Sequence, residues 1–82
     1  VQKSIHTPMQ QAFIQVLREA RREAGLTQVQ LAERLDVLQC EISNYERGEK
    51  RLDFVELCQV VDAIGIPLNE FVYRFERATG RK

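Results

Sequence analysis

Cysteine is scarce in this 82-residue chain, which has only Cys40 and Cys58. Two are too few for a disulfide scaffold, and their separation is not that of a zinc site. A reducing, cytoplasmic setting is the matching expectation. Histidine is scarcer still: His6 stands alone, with nothing beside it for metal binding or acid–base work. No apolar run approaches the roughly 18 residues of a membrane span, and the polar stretch 1–7 lacks the apolar segment of a secretion signal. Strand signals are weak, with no sustained alternation and no Asn-Gly or Asp-Gly dipeptide. No nucleophile–base pair and no phosphate loop can be found, so neither enzymatic activity nor a cofactor or metal is expected. Net charge is also lacking, since 12 basic residues balance 12 acidic ones. Nucleic-acid binders usually carry a basic excess, so any case for an anionic partner must rest on where the charges sit.

What remains is a chain that is 44% hydrophobic, enough for one modest core and one domain spanning 1–82. Its periodicity predicts five helices. Thr7, Pro8 and Gln10 form a helix-start signal, after which Phe13, Val16, Leu17, Ala20 and Ala24 recur at helical spacing until Gly25. Thr27 and Gln30 open a second helix over 28–35, with Leu31, Ala32 and Leu35 inward. Asp36 then occupies a turn position where glycine would be easier. A third helix spans about 39–47, with Val37, Ile42 and Tyr45 inward, and stops at Gly48. Asp53 and Glu56 cap a fourth, which ends at Gly65. Its residues Phe54, Val55, Leu57, Cys58, Val60, Val61 and Ile64 make it apolar over much of its surface, so it should be central, with Cys58 a small buried hydrophobe. The fifth runs from Pro67 or Leu68 to about Ala78, followed by a frayed tail over 79–82.

The second and third helices are short and separated by a turn of about three residues, the length expected of a helix-turn-helix. The third has a polar outer face of Gln39, Glu41, Ser43 and Asn44. Amide side chains can bond two atoms of adenine at once in the major groove, and glutamate can accept a hydrogen bond from cytosine N4.

The string Gly25-Leu26-Thr27-Gln28-x-x-Leu31-Ala32-x-x-Leu35, followed by Ile42-Ser43-x-Tyr45-Glu46-Arg47-Gly48, resembles the phage-repressor helix-turn-helix family (Cro/cI type, XRE-like). Arg51-Leu52-Asp53, Val55-Glu56-Leu57, Ile64-Gly65-Ile66 and Phe71 extend the match to about residues 10–76. The resemblance implies an all-α, five-helix bundle of the lambda-repressor-like DNA-binding type. It also implies sequence-specific binding of double-stranded DNA and a role in transcriptional regulation, with repression expected. By that resemblance Gln39, Cys40, Glu41 and Asn44 face base edges, while Gln28, Arg47, Lys50 and Arg51 grip phosphate. Arg21 and Glu46 match a buried ion pair between the first and third helices. Four positions depart from the family pattern: Asp36 replaces the usual turn glycine, Leu38 stands where a capping Ser, Thr or Pro is common, Cys40 replaces a polar residue, and Glu41 adds a negative charge where phosphates would approach.

Phe71, Val72, Tyr73 and Phe75 cover more circumference than one core stripe needs, so a homodimer through the C-terminal helix is expected. A two-fold dimer would set its recognition helices about one DNA turn, ~34 Å, apart. The alternative is a protein-interaction or antitoxin-like adaptor module on the same fold, meeting its partner through Leu38, Cys40 and Glu41. A third reading takes the chain as one domain of a longer protein.

Overall fold

The computed structural model describes residues 7–80. Five helices follow one another: α1 (Pro8–Glu23), α2 (Gln28–Leu35), α3 (Gln39–Glu46), α4 (Phe54–Ile64) and α5 (Leu68–Thr79). No strand occurs among the described residues, so the architecture is the all-α bundle that the sequence implies. Of the polar N-terminal stretch, expected to be an extension over 1–7, residues 1–6 with His6 lie outside the described residues, as do residues 81 and 82 of the expected tail. Helix α5 reaches Thr79, slightly past the predicted end, and Gly80 caps it in the left-handed conformation.

Local chemistry sets the helix boundaries. The Thr7 hydroxyl accepts from the Gln10 N–H at 3.1 Å. At α2, Thr27 accepts from the Gln30 N–H, and the Gln30 side chain accepts in return from the Thr27 N–H. Asp53 and Glu56 repeat this reciprocal box at α4. Each box satisfies two of the backbone donors that a helix start leaves without a partner. Helix α2 ends on Asp36 at φ 58°, the one non-glycine among the described residues with positive φ. A short polar side chain tolerates that conformation better than other non-glycine residues do.

The core is built chiefly from α1, α2 and α4, with one buried residue each from α3, α5 and the α1–α2 turn, where Leu26 is enclosed. Val16, Leu17 and Ala20 of α1 meet Leu31 and Ala32 of α2, Ile42 of α3, Leu57, Val60, Val61 and Ile64 of α4, and Phe71 of α5. Phe13 stands edge-on to Phe71, with centroids 5.6 Å apart, and to Phe75 at 6.4 Å, clasping α1 to α5. Such pairs add ~0.5–1.5 kcal/mol beyond the area they bury.

Several apolar positions lie elsewhere than predicted. Phe54 and Val55 are 65% and 64% exposed. They form the first turn of α4, and the inward face begins only with Leu57. Cys58 is half-buried rather than buried, and Val37 and Ala24 are exposed. Ile14, outside the predicted stripe of α1, is buried.

Candidate nucleic-acid interface

Helix α3 has two buried residues among its eight, Ile42 and Glu46. They stand four apart and therefore on one face. Ile42 inserts into the core, and Glu46 is held by polar contacts. The Glu46 carboxylate accepts from Arg21 Nε at 2.6 Å, from Arg21 Nη2 at 3.0 Å and from Gln28 Nε2 at 3.0 Å. The third nitrogen of Arg21, Nη1, donates to the Leu26 carbonyl at 2.7 Å. Arg18, which the sequence reading missed, donates through Nη2 to the Glu46 backbone carbonyl at 2.8 Å. No buried side-chain N or O among the described residues lacks a hydrogen-bond partner. A buried ion pair requires that completeness, because its desolvation is offset only when every donor is used. The network fixes how α3 sits against α1 and α2.

Tyr45 packs partly buried against the core, and the rest of α3 faces outward. Gln39 and Cys40 are exposed at its start, while Glu41, Ser43 and Asn44 are half-buried along one side. Gln39 Nε2 donates to Gln28 Oε1 at 2.9 Å, so Gln28 links Gln39 to Glu46 and joins the first residues of α2 and α3. Of the donors at the start of α2, the box satisfies Thr27 and Gln30. The N–H groups of Gln28 and Val29 are left without an intrahelical acceptor. Helix α3 has no side-chain cap, since its N-cap is Leu38, which is 70% exposed. Glu41 occupies the position from which a capping-box side chain would turn back to the Leu38 N–H. It reaches Lys50 instead.

The cations predicted to flank α3 are there, but two of them are occupied. Lys50 Nζ lies 2.8 Å from Glu41 Oε1 and 5.6 Å from the centroid of the Tyr45 ring. The loop places it there because Glu49 and Lys50 both donate their backbone N–H to the Asn44 carbonyl. Arg47 donates to Ser43 Oγ, to Asn44 Oδ1 at 2.8 Å, and to both carboxylate oxygens of Glu49. These pairings raise the pKa of Lys50, chiefly through its hydrogen bond to Glu41, and that of Arg47 through its hydrogen bond to Glu49. The Arg47 bond in turn lowers Glu49. Burial of the Tyr45 ring, and secondarily the charge of Glu56, raises its hydroxyl above the ordinary tyrosine value. Arg51 is exposed and has no ion-pair partner among the described residues.

Gln28, Gln39, Cys40, Glu41, Asn44, Arg47, Lys50 and Arg51 all belong to α2, α3 or the segment after α3. Arg21 and Glu46 lie beneath them. Ser43, Tyr45 and Glu49 join this constellation without having been assigned contacts from the sequence. Glu49, two residues after Arg47, was the one with a visible signal. No helix of the described residues is long and apolar enough to cross a membrane, and no His/Cys/Asp/Glu cluster among them could hold a metal.

The chain matches the helix-turn-helix family over residues 17–71, a span running from the middle of α1 to the start of α5. No individual curated protein matches it.

Proposed function

The chain belongs to the helix-turn-helix family of the Cro/cI, XRE-like type, a family of DNA-binding transcriptional regulators, and on that premise we propose that it is a sequence-specific repressor that lays α3 in the major groove. The observation that carries this proposal is the division of α3 into one buried edge, Ile42 and Glu46, and one outward polar edge flanked by three cations. Gln39 and Asn44 take adenine through their amides, Cys40 meets a thymine methyl, and Glu41 accepts from cytosine. Gln28 and the free N–H groups at the start of α2 bind one phosphate, since helix N-termini favour anions. Arg47, Lys50 and Arg51 bind others. Occlusion of a promoter in the cytoplasm is the proposed mode of repression. A homodimer through α5 pairs two such surfaces. Phe71 and Phe75 are spent on the protein's own core, so Val72 and Tyr73 are the exposed apolar side chains of that contact.

Fluorescence anisotropy with a random-sequence duplex, titrated at several salt concentrations, tests the DNA assignment. Binding should weaken log-linearly with salt, and charge reversal at Arg47 and Lys50 should abolish it. A folded protein that binds no duplex even at ~50 mM salt overturns the assignment. Sedimentation at high micromolar concentration tests the dimer, and a monomeric mass counts against it. One observation favours a second reading: Leu38 and Val37 lie exposed beside Cys40 on a chain of zero net charge. On an adaptor module that surface would meet a protein, and its binding would survive the charge reversals.

A further inference from the structure

The DNA-facing surface carries its own anionic competitors. Lys50 and Arg47 are each engaged by a carboxylate from the same surface, Glu41 at 2.8 Å and Glu49 at 3.1 Å. Neither pairing is a chance meeting of two long side chains. Two backbone hydrogen bonds to the Asn44 carbonyl fold the loop back onto α3. The Tyr45 ring lies under the Lys50 ammonium. Arg47 is further fixed to Ser43 and Asn44.

Given DNA as the ligand, a proposal on which this one rests, we infer that Glu41 and Glu49 act as built-in phosphate mimics that suppress non-specific binding, and that Glu41 is the residue that ties their release to sequence. The two carboxylates differ in what happens when DNA arrives. A phosphate that draws Lys50 away leaves Glu41 charged and unpartnered in the groove, next to other phosphates. Where the facing base is cytosine, its N4 amino group donates to that carboxylate and replaces the lost ammonium. Guanine and thymine offer the carboxylate no donor, and adenine offers its N6 amino group only beside the repelling N7 acceptor. Glu41 thus favours sites with cytosine at one position and penalises guanine and thymine there most. Glu49 lies beyond the helix, its carboxylate is spent on Arg47 and not on a base edge, and it penalises all sequences alike. The same exchange flattens the salt dependence. A phosphate contact normally adds about −0.9 to the slope of log K against log [salt]. A cation that abandons a carboxylate held close to DNA contributes less, because the freed carboxylate holds a counterion in its turn.

The test compares wild type, Glu41→Gln and Glu49→Gln by anisotropy. Each is titrated from low to moderate salt against a random duplex and against the site recovered by selection from a randomised pool. Both positions are on the surface, and circular dichroism checks that each variant keeps its helices. Glu41→Gln should bind the random duplex about two- to fivefold more tightly at low salt, the range that one exposed ion pair commands. Its salt slope should steepen by up to about one unit. Its preference at a single C·G pair of the selected site should be lost. Glu49→Gln should tighten binding to both duplexes alike and leave base preference unchanged. If wild type binds DNA and Glu41→Gln matches it in affinity, slope and base preference, the competitor role of Glu41 is wrong while the DNA assignment stands. If neither wild type nor the variants bind any duplex, the DNA assignment falls, and this inference with it. Binding by the variants alone supports both.

Discussion

Replacing Glu46 with alanine should be among the most destabilising single changes available to this domain. The substitution leaves the Arg21 guanidinium buried with Nε and Nη2 unpaired and only Nη1 still bonded, to the Leu26 carbonyl. Gln28 Nε2 loses its acceptor as well. Breaking one side of a buried pair typically costs ~3–5 kcal/mol. A domain of this size has roughly 4–12 kcal/mol in total, so Glu46→Ala should remove about a quarter of the stability or more. The corresponding loss in Tm is at least ~12 °C, at 4 °C or more per kcal/mol for domains of this size. Urea unfolding followed by circular dichroism reads the change as a shift in midpoint at constant slope. The double variant Arg21→Met/Glu46→Leu removes both charges together and should recover most of the loss, because apolar replacement of a whole buried pair is often neutral or better. A Glu46→Ala cost below ~1 kcal/mol, or a double variant whose cost is the simple sum of the two single ones, would refute the assignment of this network as the anchor of α3.

Three further outcomes follow from local features. Asp36→Gly should stabilise the domain by ~0.5–1 kcal/mol, because glycine adopts the left-handed conformation at the end of α2 without a Cβ penalty, and an unchanged midpoint in urea would contradict this. Leu38→Ser should gain about 1 kcal/mol by supplying the hydroxyl cap that α3 lacks, visible as a rise in Tm of several degrees. Stability should fall as the pH climbs from about 10 through the higher native value of Tyr45. The unfolded chain loses the tyrosine proton first, because burial holds the native hydroxyl protonated longer. Tyr45→Phe should remove that component, so equal alkaline slopes for the variant and wild type would argue against it.

The features legible in the sequence were those set within three or four residues. Thr27 with Gln30 and Asp53 with Glu56 announce their boxes at fixed spacing, and both form as read. Asp36 stands where the turn demands a left-handed residue and adopts that conformation. Tertiary cover was less readable. Phe54 and Val55 look like core by type, yet they sit in a first turn that no other helix covers. Val37 likewise fits an inward stripe and lies exposed. The pairing of Lys50 with Glu41 depends on a loop bending back to the Asn44 carbonyl, a contact no periodicity announces. Glu41 as a base reader could be suggested from its place on α3. Its engagement by a lysine nine residues on could not.

The aromatic clasp between α1 and α5 bears on the order in which the domain assembles. Phe13 reaches Phe71 and Phe75, and Glu23 pairs with Arg74 across 51 residues of sequence. Contacts this distant must wait for loop closure, whereas α2 and α3 meet across a short turn. During synthesis α1 therefore emerges with its stripe of Ile14, Val16 and Leu17 facing water, and it stays incompletely covered until the last helix clears the ribosome. The helical pair that faces the ligand is the part able to form early. The clasp closes last, so the interval before α5 is released is when the nascent chain is most exposed to aggregation and to proteases.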